Sequence, residues 1–219
     1  MSTLVATTPS VTIRRVAVSS FDNNVYLLTS RTSGRQILID AAADPDAIGA
    51  MLADAAADGP QPQVEVIVTT HSHHDHLRAL AVLAARTGVP VLAGRDDAEA
   101  ITAQTGVAVD RPLDHGDSLA VDGIELDVIV LRGHTPGSIA LAYAERGQVV
   151  HLFTGDSLFP GGVGNTDRDP VRFASLLADV TERVFAVYAD DAVVHPGHGA
   201  PTTLGAERPH LEAWRERGW

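Results

Sequence analysis

Cysteine and lysine are both absent from the 219-residue chain, in which all 16 basic residues are arginine. Without cysteine there is no disulfide scaffold, no zinc–thiolate site and no thiol nucleophile. Without lysine there is no P-loop lysine and no Schiff-base lysine. Long apolar runs are missing too: stretches such as Val64–Val68 and Val128–Leu131 are far too short to span a bilayer. Residues 1–10 show no basic segment followed by an apolar one, so they do not read as an export signal. The expectation is a cytoplasmic protein without membrane association. Positive charge is scarce, with a formal net charge of −12, which argues against a nucleic-acid face. If the chain holds a metal, histidine and carboxylate must do it.

What is present describes one globular domain. Hydrophobic residues make up 45% and charged residues 20% of the chain, which excludes general disorder. Strand-like alternation marks Val11–Val18, Val25–Leu28 and Ile37–Asp40, with Asp22-Asn23-Asn24 and Ser33-Gly34 read as turns. Asp44-Pro45 opens a helical pattern through Ala57, and a β-branched run, Val64–Val68, follows as a buried strand. Helices are expected at 77–88, 96–104, 170–188 and 206–217, and further strands at 89–93, 118–121, 125–131, 139–143, 149–153 and 192–195. Hairpin-like pairs in each half, mixed with helices, point to two sheets with helices packed outside them, an α+β arrangement in a single domain spanning 1–219.

Chemistry concentrates in His71-Ser72-His73-His74-Asp75-His76, immediately after the 64–68 strand. Neutral imidazole and carboxylate are the ligands left to a cysteine-free protein. In extended chain His71 and His73, two positions apart, point the same way, and Asp75 and His76 then sit at the turn into the next helix. Three more candidates each follow a strand: His134 in Gly133-His134-Thr135-Pro136-Gly137-Ser138, Asp156 in Thr154-Gly155-Asp156-Ser157, and His198 in Pro196-Gly197-His198-Gly199. Neighbouring strand ends lie close in space, so these residues can converge on one edge. His74, His115, His151, His195 and His210 read more simply as surface or packing histidines. Asp40 reads equally as a support for a ligand or as a turn cap. Trp214 and Trp219 read as packing of a terminal helix.

Together, the four motifs in this order resemble the metallo-β-lactamase-fold hydrolases, and within them the glyoxalase II-like branch. The resemblance implies an αββα sandwich. It implies a first metal on His71, His73 and His134, a second on Asp75, His76 and His198, and Asp156 bridging the two. Two Zn²⁺ ions per chain are the expectation, with iron or manganese as alternatives. Such a pair, about 3.5–4 Å apart, lowers the pKa of a shared water so that hydroxide can attack a carbonyl carbon. Asp75 is the candidate to orient that hydroxide or relay its proton. The substrate implied is a small thioester or ester, bound by a monomer or homodimer. Asn165 stands where glutathione-thioester hydrolases carry a basic residue that helps hold the thiol carrier, and no separate C-terminal helical domain is expected. Both departures weigh against glutathione and leave room for another thiol carrier, with Asn165 itself as a substrate contact. Alternatives on the same motifs are a persulfide dioxygenase-like enzyme with one iron on residues such as His71, His134 and Asp156, a lactonase and a metallo-ribonuclease.

Overall fold

The structure is a computed structural model that describes residues 2–218. Seven strands form the first sheet in chain order: β1 (Thr3–Thr7), β2 (Val11–Val18), β3 (Asn23–Ser30), β4 (Arg35–Ile39), β5 (Gln63–Thr69), β6 (Val91–Gly94) and β7 (Arg111–Leu113). Pairing is antiparallel from β1 to β4 and parallel from β4 to β7. Parallel neighbours need crossovers, supplied by α1 (Pro45–Asp54), α2 (Leu80–Thr87) and α3 (Ala98–Thr105). The second sheet uses β8 (Ser118–Val121), β9 (Ile124–Val130), β10 (Ile139–Tyr143) and β11 (His151–Gly155). A small hairpin, β12 (Leu158–Phe159) and β13 (Gly162–Val163), follows β11, and β14 (Val193–Pro196) and β15 (Thr202–Thr203) complete the sheet in the order β15-β14-β11-β10-β9-β8. Its helices are α4 (Pro170–Val180), α5 (Leu204–Glu207) and α6 (Leu211–Arg217).

Asp-Pro pairs start two of the helices. The Asp44 carboxylate accepts from Ala47 N (3.0 Å), and the Asp169 carboxylate accepts from Val171 N (2.8 Å) and Arg172 N. In each case proline occupies the first helical turn, where its missing N–H is not needed.

Strand alternation sorts the core into three layers. Leu27 and Leu38 face Ile48, Met51, Leu80 and Ile101 of the first helix layer, while Leu28, Ile37 and Ile39 face Leu126, Leu141 and Phe153 between the sheets. On the far side Ile129, Ala140 and Leu152 pack on Phe173, Leu176, Val180 and Trp214. The result is a four-layer αββα sandwich. A bulge at Glu65 matters to this sorting: Gln36 pairs with Val64 but Ile37 pairs with Val66. The extra residue lets Val64 join the helix side and Val66 the inter-sheet side, although they are two positions apart.

The strand expectations for 11–18, 118–121 and 139–143 coincide with β2, β8 and β10. The expected helix through 188 leaves α-geometry after Val180 and passes through a π-turn at Thr181–Phe185. The expected turn at Asn23-Asn24 is overturned. Both residues are fully buried and open β3, because the reversal is completed by residues 19–22, with Ser19 (φ +65°) and Asp22 (φ +52°) in the left-handed region.

Candidate metal centre

Strand directions bring the motifs to one edge. The C-terminal ends of β4 and β5, which run parallel, carry Asp40 and the 71–76 segment. In the second sheet β9 and β11 both run antiparallel to β10, and β14 runs parallel to β11, so the loops holding His134, Asp156 and His198 leave from the same side. Because β3 is antiparallel to β4, its first residue, Asn23, arrives at that edge as well. Three backbone bonds stitch the sheets together there: Asn24 N to Gly197 O (2.7 Å), Gly199 N to Asp22 O (3.3 Å) and Ile139 N to Thr70 O (2.9 Å).

Seven side chains converge as two triads and a carboxylate between them. Potential ligand atoms of His71, His73 and His134 lie within 4.8 Å of one another, as do those of Asp75, His76 and His198, and those of His71, His76 and Asp156. Asp156 Oδ2 is 3.9 Å from His71 Nε2, 3.6 Å from His134 Nε2 and 3.3 Å from His198 Nε2, and its Oδ1 is 3.4 Å from His76 Nε2. It therefore faces both triads at once.

Four imidazoles are held by Nδ1 from outside. His134 Nδ1 donates to the Asn165 carbonyl (2.7 Å), His198 Nδ1 to the Phe21 carbonyl (2.7 Å) and His76 Nδ1 to Asp40 Oδ2 (2.9 Å). Thr70 spends its hydroxyl proton on Asp40 Oδ2 (2.8 Å), so its oxygen accepts from His71 Nδ1 (3.0 Å). A proton fixed on Nδ1 leaves the Nε2 lone pair turned inward, the tautomer a metal ligand needs. Asp40, 2% exposed, thus steers His76 directly and His71 through Thr70, whose backbone N–H it also accepts (2.7 Å).

Electrostatics favours positive charge between the triads. Burial opposes a second proton on His76, but Asp40 and Asp156 outweigh it and push its pKa up to about 10, so a cation at Nε2 would take the place of that proton. Burial would raise the Asp156 carboxyl, yet His198 and His76 hold it below the usual carboxylate range. Burial also raises Asp75, while the bond from Asn23 Nδ2 (2.9 Å) and the His76 charge bring it below the ordinary value. His71 and His134 are pushed down chiefly by burial, which keeps them neutral. Of the seven buried side-chain atoms without a hydrogen-bond partner among the described residues, three, His71 Nε2, His134 Nε2 and Asp156 Oδ1, belong to this cluster. Buried polar atoms seldom stay unsatisfied. Inward lone pairs, an ionised bridging carboxylate and a field that attracts cations fit divalent metal ions, and nitrogen and oxygen donors suit zinc, iron and manganese alike.

The remaining sequence candidates fall outside the cluster or beside it. His74, His115 and His210 are exposed. His151 and His195 form a buried stacked pair, with Nδ1 of the first 2.9 Å from Nε2 of the second. The Asn165 side chain is engaged with Asp167, donating from Nδ2 to Oδ1 (3.2 Å) and accepting from its N–H (2.9 Å). It is the backbone carbonyl of Asn165 that touches the centre. Trp214 packs against Phe185, their centroids 6.2 Å apart, and Trp219 lies outside the described residues. Sequence reasoning missed Asn23, which grips Asp75, and Asn24, whose Nδ2 donates to the carbonyls of Pro196 (2.9 Å) and Gly199 (3.0 Å). Their one signal was a pair of adjacent polar residues at the head of a strand. A cavity of about 1010 Å³ opens beside the first triad, lined by His73, His134, Asp96, Gln104, Arg132 and Arg172.

An αββα sandwich with two histidine-rich triads at one edge is the architecture of metallo-β-lactamase-fold proteins. The family model described as the metallo-beta-lactamase superfamily matches residues 20–198, and the chain belongs to that superfamily. It is 30% identical over 159 residues to the hydroxyacylglutathione hydrolase GloC of Haemophilus influenzae, covering 66% of this chain and 73% of that protein. The hydroxyacylglutathione hydrolase of Anaeromyxobacter dehalogenans is 36% identical over 180 residues, 81% of this chain but only 61% of that protein. Among solved structures, TTHA1623 in a di-iron-bound form superposes with a TM-score of 0.68 at 31% identity, covering 89% of this chain and 96% of that one.

Proposed function

We propose that the chain is a hydrolase of small thioesters or esters that works with two divalent cations, zinc in the first instance. His71, His73 and His134 hold one, Asp75, His76 and His198 the other, and Asp156 reaches both. The observation that carries this reading is the set of buried, unpartnered inward atoms on His71, His134 and Asp156. Cations held there would supply Lewis acidity toward a substrate carbonyl and would lower the pKa of a bound water. The residues do the rest. Asn165, Phe21, Asp40 and Thr70 hold four rings with Nε2 inward, so that no reorganisation is needed during reaction. Asp75, held ionised and oriented by Asn23, is the proton acceptor at the second triad. The cavity beside His73 and His134 receives the substrate, with Arg132 and Gln104 on its wall; Asn165 lines a separate, neighbouring-loop cavity with residues 159–164. The names of the relatives from H. influenzae and A. dehalogenans support a thioester. The di-iron form of TTHA1623 supports a two-metal centre and keeps iron as a candidate.

Incubating the purified protein with a panel of acyl-thiol and simple ester substrates, with and without chelator, tests this. Chelator-sensitive hydrolysis restored by Zn²⁺, Fe²⁺ or Mn²⁺ is the expected result. No hydrolysis across the panel, with one iron per chain and oxygen uptake on a persulfide, would assign the centre to oxidation instead.

A further inference from the structure

We infer that Asp97 is a positioning residue that sets the spacing of the first triad, holding the loop of His71 and His73 against the loop of His134. The inference rests on the metal centre proposed above. Asp97 stands at the head of α3, where an aspartate ordinarily caps the helix, but its side chain makes no capping bond. It is 1% exposed and turns instead toward two loops. Oδ2 accepts from Ser72 N (2.8 Å), the residue between His71 and His73, and from Thr135 Oγ1 (2.5 Å), the residue after His134. Oδ1 accepts from Gly137 N (2.8 Å). One carboxylate therefore spans two segments more than sixty positions apart in the chain.

The surroundings are built for this contact. Thr135 gives its proton to Asp97, so Ser138 Oγ donates to Thr135 Oγ1 (2.5 Å) while accepting from Thr135 N (3.1 Å). That closes a small polar ring beneath His134. The loop also comes too near for a side chain at either crossing. A Cβ on Gly137 would stand 2.3 Å from Asp97 N, and one on Gly94 would stand 1.9 Å from Gly137 O. Three donors, two of them backbone N–H groups, fill the acceptor sites facing the loops, and no cation pairs with this carboxylate among the described residues. Asparagine has the same shape but turns an N–H₂ toward at least one of those donors. Ser72 and Thr135 directly adjoin His71, His73 and His134 in the chain, and none of the three donors adjoins Asp75, His76 or His198, so the effect of substitution falls first on the first triad.

The test is equilibrium metal binding to chelator-stripped protein, titrated with Zn²⁺ against a chromophoric competitor and with Co²⁺ read by its visible absorption. For Asp97→Asn, affinity for one of the two cations is expected to fall about 10- to 100-fold, the range seen when groups supporting metal ligands are removed. Affinity for the other should match the parent. Thr135→Val removes one donor with little change of shape and should give a smaller loss at the same cation, which keeps the test available if Asp97→Asn does not fold. Equal weakening of both cations, or unchanged binding of both in either folded variant, would overturn the inference. A parent protein that itself binds fewer than two cations would instead sink the proposed centre.

Discussion

At the end of β4, Asp40 has φ +58°, a left-handed backbone that aspartate tolerates better than most residues. That conformation lets its carboxylate reach Thr70 and His76 from below the cleft. A lone aspartate after a strand reads from sequence as either a cap or a support, and only the spatial neighbours decide between them. His195 shows the opposite case, a histidine whose chemistry is packing. Its ring stacks on Phe153 and His151, stands edge-on to Tyr26, and has Arg15 as its nearby cation. Burial, with His151 and Arg15 adding to it, takes its pKa from 6.5 down to about 3. The fold thus favours the neutral ring: below pH 6.5 the unfolded chain takes up a proton that the folded chain refuses. Stability is fully present above 6.5 and declines as pH falls toward 3, by about 1.4 kcal/mol per unit. Replacing His195 with Phe removes this term. In urea titrations of chelator-treated protein, the stability gap between parent and His195→Phe should shift by about 2 kcal/mol in the variant's favour between pH 7 and pH 5. A gap that does not move with pH contradicts the assignment. At this scale the metal-type residues were legible because four of them fall within 71–76 and the other three each sit in a short glycine-flanked motif after a strand. Asn23, Asn24 and Asp97 were not, since the asparagines read as a turn and Asp97 reads as part of the expected 96–104 helix until a distant segment claims it.

Elements with their own periodicity were equally legible. Strands β2, β8 and β10 carry clear alternation, whereas β1, β7, β12, β13 and β15 are short or edge pieces whose pairing is set by a neighbour rather than by pattern. The loop after β14 shows how closely an element end must fit the centre. Gly197 N donates to Gly155 O (2.7 Å), and its own carbonyl accepts from Asn24 N (2.7 Å), so the loop is pinned on both sides. A Cβ on Gly197 would fall 2.1 Å from Asp156 Oδ1 and 2.8 Å from His76 Cε1. Gly197→Ala must therefore displace the bridging carboxylate or the ring beside it. Metal affinity, and with it the hydrolysis proposed above, is expected to drop by about 10- to 100-fold or more, with far-UV circular dichroism unchanged. A Gly197→Ala protein that retains the parent's metal content and rate would show that Asp156 does not sit where this geometry requires.

Across the whole molecule, the three-layer core does one thing for the site: it fixes the ends of β4, β5, β9, β11 and β14 on a common edge. Ligand-type residues from four separate motifs between positions 71 and 198 thereby share one cleft, an outcome that no single motif contains. Two sheets with outer helices were legible because each half carries hairpin-like pairs mixed with helices, and the αββα sandwich came with the resemblance of the motifs to the superfamily that residues 20–198 match. The substrate was not legible, because the cavity beside His73 and His134 is built from side chains of many elements. The central claim concerns where cations sit, so anomalous diffraction at the metal edge from crystals grown with Zn²⁺ addresses it most directly. Two peaks are predicted, one within His71, His73 and His134 and one within Asp75, His76 and His198, with Asp156 between them. A single peak, or peaks away from these triads, would contradict the account.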